Sequence, residues 1–322
     1  MQLPTNVAAR RQIQIEAQII MKLESLSSCL LCGAGSLAVI DPESNIARCI
    51  NCGYIFDNPR PVIEELVNFY NRQSQYDAWL NEIEAREQLW KRRLKLILPH
   101  RKPGSLLDIG AGIGQLLSLA KPYYEETQGI EVSDTAIRIA KDKYGLDLFR
   151  GTIETMVGYG KVFDNISLFH VLEHVPDPAS LLRICYSLLS DRGVLIIAVP
   201  NEVASLRSRL KRTLVAAGIL KPRPGAGQFG LPRIRLTPDT SEVHLSHFTR
   251  PVLSALLRRT GFSVIEQTLD PHYVRTSTLS KLRADLYYLF CLAIRKLFGV
   301  NLYDAMLVIA TKLSADEQRI AA

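Results

Sequence analysis

The sequence predicts an α/β fold built on a doubly wound, mostly parallel sheet of seven strands, preceded by a small unit with paired cysteines. Three observations predict it: short apolar runs alternate with helical patterns after residue 104, a glycine-rich turn follows the first run, and two Cys-x2-Cys pairs lie near the N-terminus. The length of 322 residues suggests two domains of about 150 residues each. With 47% hydrophobic and 22% charged residues, the composition excludes a disordered chain, a collagen and a coiled coil.

The chain divides into three segments. Residues 1–60 hold a polar amphipathic helix over 1–28 and then the paired cysteines, residues 61–103 form a helical connector, and residues 104–322 form the sheet domain. A segment rich in proline and glycine, over 201–246, interrupts the sheet domain and is predicted to be a partly ordered insertion.

Alternating strands and helices define the sheet domain. Helices are predicted at about 250–260 and 278–298, and another starts near Asp134, with Ser133 as its N-cap and Gly145 after its last turn. The seven strands are predicted at about 105–109, 126–131, 147–149, 163–169, 193–199, 262–268 and 305–311. Parallel strands joined through helices form a sheet that is covered on both faces.

A glycine-rich turn follows the first predicted strand, in Leu-Leu-Asp-Ile-Gly-Ala-Gly-Ile-Gly-Gln over 106–115. Glycines here allow a tight turn and let a ligand approach the backbone closely. The spacing G-x-G-x-G differs from the dinucleotide fingerprint, and Asp108 before it suits a ligand with a cationic end better than a pyrophosphate. Glu131 ends the next strand, 23 residues later, near the distance at which a carboxylate binds ribose hydroxyls.

Two further motifs continue this pattern. Gly-Thr-Ile-Glu over 151–154 follows the third strand, and the fourth strand ends in Phe-His-Val-Leu-Glu-His-Val-Pro-Asp-Pro over 169–178. In this order and spacing, the sequence resembles the class I S-adenosylmethionine-dependent methyltransferases over about residues 100–315. The resemblance implies a Rossmann-like fold and a cofactor site that comprises Asp108, Gly110, Ala111, Gly112, Gly114, Glu131, Val132, Ile153, Glu154 and His170.

The resemblance also implies roles within that site. It places the glycine turn at the methionine part, Glu131 at the ribose, Ile153 or Glu154 at the adenine, and His170 beside the sulfonium as a candidate catalytic residue.

The segment 170–174 also matches the inverted zinc-protease motif, but that motif belongs on a helix, so a protease is rejected. Quinone O-methyltransferases carry a metal-binding Glu-x-x-Glu-His at this place, and His170 in place of the first glutamate puts such a metal in doubt.

Four cysteines in two pairs predict a metal site. Cys29-x2-Cys32 and Cys49-x2-Cys52 are separated by 16 residues, the two-knuckle spacing of tetrahedral zinc, and an iron site of the rubredoxin type shares this geometry. Four thiolates leave no open position for water, so the predicted site is structural. Methyltransferases near polysaccharide biosynthesis gene sets look similar, with the same cysteine pairs followed by Asn-Pro-Arg-Pro, here 58–61.

Two histidines mark the acceptor side. The segment His-Leu-Ser-His-Phe-Thr-Arg-Pro over 244–251 resembles a motif of the same methyltransferases, and Thr249 is predicted to cap the helix that follows. Because histidine has a pKa of about 6.5, it can take a proton from an attacking sugar hydroxyl. His247, ahead of His244, is therefore the candidate base.

The net charge of +7 is concentrated in one segment. Residues 201–236 hold eight basic residues against the single acid Glu202, so this segment carries the whole net charge. A local basic patch predicts a local anionic partner, here an anionic sugar-containing acceptor. Nucleic acid is disfavoured because Phe229 is the one aromatic residue in the segment.

The motifs together predict an S-adenosylmethionine-dependent methyltransferase that acts on a glycan, a nucleotide-sugar or a lipid-linked sugar. The alternatives are O-methylation of a quinone or other small molecule, a nucleic-acid-binding zinc protein, and a cofactor-binding pseudoenzyme. The first twenty residues lack a signal-peptide pattern, which predicts a cytoplasmic protein. The helix over 281–298 is predicted to pack its leucine face in the core or in a homodimer, with a peripheral contact to an anionic membrane as the alternative.

Overall fold

The structure, a computed structural model, describes residues 21–71, 74–221, 230–231, 233–234, 236, 242–271 and 278–314. No helix in these residues combines the length and the apolar composition that a crossing of the bilayer requires.

The secondary structure begins with short strands, continues with three helices and then alternates. The strands are β1 (Leu23–Glu24), β2 (Leu37–Asp41), β3 (Ile46–Cys49), β4 (Ile55–Asp57), β5 (Arg60–Pro61), β6 (Ser105–Ile109), β7 (Glu126–Glu131), β8 (Phe149–Arg150), β9 (Phe163–Phe169), β10 (Leu189–Pro200), β11 (Ser246–His247), β12 (Phe262–Leu269) and β13 (Ala305–Lys312). The α-helices are α1 (Ile63–Tyr70), α2 (Ser74–Asn81), α3 (Ile83–Ile97), α4 (Gln115–Ala120), α5 (Asp134–Tyr144), α6 (Pro178–Leu188), α7 (Leu206–Ala216), α8 (Arg250–Arg259) and α9 (Thr278–Phe298). Short 3-10 turns occupy Leu98–His100, Lys121–Tyr123 and Ile153–Tyr159.

Seven strands form the central sheet in the order β12-β13-β10-β9-β6-β7-β8. The five strands from β10 to β8 run parallel, and β13 is antiparallel to both of its neighbours. The predicted seven-stranded, mostly parallel sheet is confirmed. Two strands begin at other residues than predicted: β8 begins at Phe149, and β10 begins at Leu189, which pairs with Phe163 across a shift in register.

Two helices, α5 and α8, test the capping residues predicted from the sequence. At α5, the Ser133 side chain accepts a hydrogen bond from the amide of Ala136, and Gly145 is left-handed, so both predicted caps are confirmed. At α8, Thr249 occupies the N-cap position, but its side chain makes no capping hydrogen bond. The predicted capping by this side chain is wrong, and Pro251 in the first turn is the helix-start signal that remains.

The N-terminal unit joins the sheet domain through a shared sheet. Strands β2, β3 and β4 are extended by β11, in the order β11-β4-β3-β2. Strand β11 lies much later in the sequence, after β10 of the central sheet. Tyr54 and Phe56 are fully buried in the same hydrophobic cluster as Leu168 of β9. The helix predicted over 1–28 is wrong at Leu23–Glu24, which is a strand paired with β5, and residues 1–20 lie outside the described residues.

The insertion over 201–246 contains an ordered helix, α7, which the sequence did not predict. Its Pro222, Arg223 and Arg235 lie outside the described residues. After it, the chain forms helix α9, whose predicted leucine face is exposed, while Cys291 on the opposite side is buried. Of the predicted contacts of this face, packing in the core is therefore wrong for the described residues, and the homodimer contact stays a prediction.

Candidate cofactor and acceptor site

In the glycine turn between β6 and α4, residues with side chains would clash with neighbouring elements and strain the backbone. Gly110 and Gly112 are left-handed, with φ of 69° and 54°. A Cβ atom on Gly110 would lie 2.5 Å from Cγ2 of Val171, and one on Gly112 would lie 3.1 Å from the ring of Trp79. Glycine is therefore required at both positions, first for the backbone conformation and second for the close approach of the neighbouring elements.

Glu131, at the end of β7, is buried directly beside this turn. Its Oε2 accepts a hydrogen bond of 2.8 Å from the amide of Gly112, and its Oε1 accepts bonds of 2.8 and 2.9 Å from the amides of Val132 and Ser133. Burial raises the pKa of Glu131, and the three amides oppose that shift. The carboxylate is thus fixed in orientation before any ligand binds.

Asp108 lies beneath the turn at the end of β6. Its Oδ1 accepts a hydrogen bond of 2.6 Å from the hydroxyl of Ser167 on the neighbouring strand. Burial raises the pKa of Asp108 to about 7, and the negative charge of Glu131 adds to that rise. A carboxyl group in this position is therefore poised to ionise when a cation approaches.

Helices α2 and α3 cover the turn from the N-terminal side. The guanidinium of Arg86 lies 3.8 Å from the ring centre of Trp79, and its Nε donates a hydrogen bond of 3.1 Å to Gln115 at the start of α4. On the other side, in the 3-10 turn after β8, Ile153 is buried and Glu154 is exposed. The predicted cofactor residues thus lie at the carboxyl ends of four neighbouring strands, β9, β6, β7 and β8.

His170 follows β9 in the left-handed conformation, with φ of 56°, which is uncommon for a residue with a side chain. Its Nε2 lies 2.9 Å from Oδ2 of Asp270, and its Nδ1 lies 3.2 Å from Oε1 of Glu173. Burial alone would lower the pKa of His170, but these two carboxylates raise it to about 9. Nη2 of Arg93 also lies 2.8 Å from Nε2 of His170, and its positive charge opposes the rise in pKa.

Arg93 of α3 completes this cluster. It forms two hydrogen bonds with the carboxylate of Asp270, and both side chains are buried. Burial would raise the pKa of Asp270, but the charge of Arg93 and the contact with His170 hold it below its usual value. Neither residue was among those predicted from the sequence. Asp270 had a local signal, because it directly follows β12 and precedes Pro271, whereas Arg93 lies among several other charged residues of α3.

The predicted bases His247 and His244 are both ion-paired. His247 contacts Oδ1 of Asp57 and Oε2 of Glu202 at 2.9 Å each, and these contacts outweigh burial and raise its pKa to about 9. His244 contacts Glu202 at 3.0 Å and Glu242 at 3.6 Å, and its pKa also lies well above the usual value. Both rings are thus held between carboxylates, and the base role of His247 and His244 stays a prediction.

His174 is the neutral histidine of the group. Its Nδ1 donates a hydrogen bond of 2.6 Å to the carbonyl of Val243, which leaves the lone pair on Nε2. Burial lowers the pKa of His174, so the ring is uncharged at neutral pH. Nε2 lies 3.9 Å from Oε1 of Glu173.

Three donor atoms from Glu173, His174 and His244 lie within 4.8 Å of one another, close enough to share a metal ion. His244, however, contacts carboxylates with both ring nitrogens, so the observed arrangement is an ion-pair cluster. Oε2 of Glu173 is buried and has no hydrogen-bond partner among the described residues. An unpaired carboxylate oxygen at this point can accept a hydrogen bond from a ligand.

The four cysteines of the N-terminal unit converge. The Sγ atoms of Cys29 and Cys52 are 3.6 Å apart, those of Cys32 and Cys49 are 3.5 Å apart, and all four lie within 4.8 Å of one another. The left-handed Gly33 turns its amide back to the carbonyl of Cys29, and Gly53 does the same toward Cys49. The cluster is thus shaped by two matching turns.

The Asn-Pro-Arg-Pro segment connects this unit with the candidate site. Arg60 is buried and donates a hydrogen bond of 2.8 Å to the carbonyl of Pro176, in the loop that carries His170 and His174. It also pairs with Glu24 at 2.8 Å. The N-terminal unit therefore supports the loop that carries His170 and His174.

Comparison with known proteins identifies the family. Residues 83–267, more than half of the chain, match the family described as "Methyltransferase domain". This chain belongs to the methyltransferase-domain family. The matched residues form a methyltransferase domain with a Rossmann-like fold.

Curated relatives match a smaller part of the methyltransferase. The chain is 30% identical over 129 residues to the ubiquinone biosynthesis O-methyltransferase of Actinobacillus pleuropneumoniae serotype 5b, which covers 37% of this chain and 54% of that protein. It is 28% identical over 104 residues to the protein of the same name from Nitrosomonas europaea, covering 30% of this chain and 44% of that protein. The chain thus spans about half the length of these relatives.

Two solved structures are distantly similar to the methyltransferase. An S-adenosylmethionine-dependent methyltransferase from Archaeoglobus fulgidus is 22% identical and covers 73% of this chain and 99% of its own, with a TM-score of 0.45. Magnesium protoporphyrin IX methyltransferase from Synechocystis PCC 6803 is 12% identical and covers 77% of this chain and 98% of its own, with a TM-score of 0.46.

Proposed function

We propose that S-adenosylmethionine binds across the glycine turn, with a ribose hydroxyl at Glu131 and the cationic methionine end toward Asp108. A carboxylate offers about four acceptor positions, and three of those on Glu131 are taken by amides, so one remains for the ribose. The left-handed glycines keep side chains away from the space above the turn. When bound, the cofactor supplies an electrophilic methyl group on a sulfonium.

The proposed role of Asp108 predicts that the affinity for S-adenosylmethionine increases as the pH rises. Since the pKa of Asp108 is raised to about 7, its carboxylate becomes fully ionised above that pH, and the ionised form attracts a cation. Calorimetry between pH 6 and pH 8 should show this increase in affinity, with the steepest change at about pH 7. Asp108→Asn should flatten it, whereas Asp147→Asn on the exposed surface should not. A wild-type affinity independent of pH would contradict the role of Asp108.

We further propose that the enzyme methylates a hydroxyl group and that His174 accepts the hydroxyl proton. The observation that carries this proposal is the hydrogen bond from Nδ1 of His174 to Val243, which leaves the lone pair on Nε2 of a neutral ring. The acceptor oxygen forms a bond to the methyl carbon while the carbon–sulfur bond breaks. The hydroxyl proton moves to Nε2 of His174, and Glu173 beside it stabilises the imidazolium that forms.

His174→Gln should lower kcat by about 10²- to 10⁴-fold, the usual contribution of a general base. Its affinity for S-adenosylmethionine should stay within twofold of the wild type, since His174 lies on the acceptor side. His100→Gln is the matched control, because His100 pairs with Glu266 away from the cluster and should keep full activity. Equal kcat values for His174→Gln and the wild type would exclude His174 as the base.

The acceptor class proposed first is a phenolic hydroxyl on a small lipid-linked molecule. The support comes from the curated relatives, which are named as O-methyltransferases of ubiquinone biosynthesis. A phenol has a pKa of about 10, within reach of an imidazole base at neutral pH. This proposal replaces the glycan acceptor as the first candidate.

A sugar hydroxyl on an anionic carrier is the second candidate. Helix α7, which follows the carboxyl end of β10, carries four basic residues and no acid. Arginine binds phosphate through paired hydrogen bonds, so this helix fits a nucleotide-linked or diphosphate-linked sugar. Arg207 is already paired with Asp304 at 2.8 Å, whereas Arg209 and Lys221 are exposed.

One assay separates the two acceptor classes. S-adenosylmethionine with a tritiated methyl group is incubated with the enzyme and a polyprenyl catechol, a nucleotide-sugar, or a polyprenyl diphosphate sugar. We expect label in the polyprenyl catechol. Label in a sugar instead, together with a raised acceptor KM in the double variant Arg209→Glu, Lys221→Glu, would establish the second candidate. Label in none of the three would reject both.

We propose that the four cysteines bind one structural zinc ion. Tetrahedral zinc with bonds of about 2.3 Å to sulfur places neighbouring sulfurs about 3.8 Å apart, close to the observed 3.5 and 3.6 Å. Four sulfur donors fill the shell, so the ion would hold β2–β4 together and take no part in methyl transfer.

Elemental analysis of protein purified without chelator should give one zinc per chain. Cys49→Ser should lose the zinc and unfold the N-terminal unit first, because metal binding supplies much of the folding energy of a unit this small. Cys291→Ala, which removes a buried thiol of α9 far along the chain from the four cysteines, should keep the full zinc content. Iron in place of zinc, or a metal content near zero, would contradict the proposal.

A further inference from the structure

Helix α9 turns an apolar face to solvent. Side chains three, four or seven residues apart along it are at least half exposed: Leu282, Leu286, Leu289, Phe290 and Leu297. Spacings of three and four residues place side chains on one face of a helix. Such a continuous exposed apolar stripe is characteristic of a binding surface.

The opposite face of α9 is already used by the fold. Cys291 is fully buried in a cluster with Leu269 of β12 and Tyr303, and Tyr287 and Tyr288 pack against it. Within the described residues, the helix is thus anchored on one side and apolar on the outer side. The outer face therefore has no partner within the described part of the chain.

Basic residues border this face. Lys281, Arg283 and Lys296 are exposed on α9. Helix α7 lies next to it, since the guanidinium of Arg207 stacks 3.9 Å from the ring centre of Tyr287. We call the outward sides of these two helices the α7–α9 surface.

Helix α7 and the residues after it continue the same mixture of side chains. Leu210, Ile219 and Leu220 are exposed apolar residues, and Arg209 and Lys221 are exposed basic ones. The α7–α9 surface thus combines apolar side chains with positive charge over two neighbouring helices. A helix with such a composition lies in the interface of an anionic membrane, with its apolar side chains among the acyl chains and its basic ones at the phosphates.

We propose that the α7–α9 surface binds the surface of an anionic lipid bilayer. A second copy of the chain fits less well, because a twofold contact through this face would bring the basic residues of both copies together. A bilayer with acidic headgroups can bury the apolar side chains among its acyl chains and pair its negative charges with the basic residues.

The surface adjoins the candidate acceptor site. Arg92 of α3 pairs with Asp285 of α9 at 3.1 Å, and the next residue, Arg93, binds Asp270 in the polar cluster. Leu269, which packs beneath α9, directly precedes Asp270. Binding to a bilayer through α7 and α9 therefore brings the acceptor site close to the membrane plane, where lipid-linked molecules reside.

Sedimentation with vesicles tests the proposal. The full-length protein should sediment with vesicles of phosphatidylcholine and phosphatidylglycerol, and far less with vesicles of phosphatidylcholine alone. The double variant Leu286→Asp, Leu289→Asp should lower the affinity at least about tenfold, and Arg283→Glu, Lys296→Glu should do the same. Val39→Asp, which changes an equally exposed apolar residue of the N-terminal unit, is the matched control and should bind as the wild type does.

Two outcomes would overturn the proposal. The first is equal sedimentation of the wild type and both double variants, with S-adenosylmethionine affinity confirming that all are folded. The second is a concentration-dependent dimer of the wild type that Leu286→Asp, Leu289→Asp abolishes, which would assign the surface to a second copy. Because the vesicles contain no acceptor, the result is independent of which hydroxyl the enzyme methylates.

Discussion

Replacing Glu131 by alanine should weaken the binding of S-adenosylmethionine at least about tenfold, or about 1.4 kcal/mol in binding free energy. The substitution removes the proposed ribose contact. It also leaves the amides of Gly112, Val132 and Ser133 without their acceptor, so the glycine turn loses its fixed geometry. Calorimetric titration with S-adenosylmethionine measures the effect.

A matched control for Glu131 lies on the same strand. Glu126 begins β7, is exposed and pairs with Lys161, so Glu126→Ala should leave the affinity unchanged. Unchanged affinity in Glu131→Ala would remove this residue from the cofactor site.

Replacing Arg93 by alanine should lower the free energy of unfolding by about 3–5 kcal/mol, because it leaves the buried carboxylate of Asp270 without its guanidinium partner. Activity should fall as well, since Asp270 also orients His170 at 2.9 Å. Urea denaturation measures the stability, and the methyl-transfer assay measures the activity.

The adjacent arginine provides the control for Arg93. Arg92 pairs with Asp285 at the surface, where both side chains are more than a third exposed, so Arg92→Ala should cost at most about 1 kcal/mol. If the two variants were equally stable, the ion-pair cluster around Asp270 would not have the structural role assigned to it.

Features encoded in contiguous residues were predictable from the sequence. The glycine turn, the caps of α5 and the spacing of the four cysteines each depend on a few neighbouring residues, and the structure shows each in place. Turn conformations and capping hydrogen bonds are local, so their residue types indicate them directly. The seven strands follow for the same reason, because each is a short apolar run.

Features that depend on distant residues were missed or misjudged. Arg93 and Asp270 are 177 positions apart, and only the fold brings them together. The partners of His247, Asp57 and Glu202, also come from remote segments, so the sequence did not show that two carboxylates hold this ring. Periodicity correctly found the apolar face of α9, but it could not show that no described part of the chain covers that face.

A crystal structure with bound S-adenosylhomocysteine would show where the cofactor lies. We expect the homocysteine part over Gly110 and Gly112, a ribose hydroxyl within hydrogen-bond distance of Glu131, and the sulfur on the side of His170 and His174. A nucleoside bound away from Glu131, or a sulfur facing away from the histidine cluster, would contradict it.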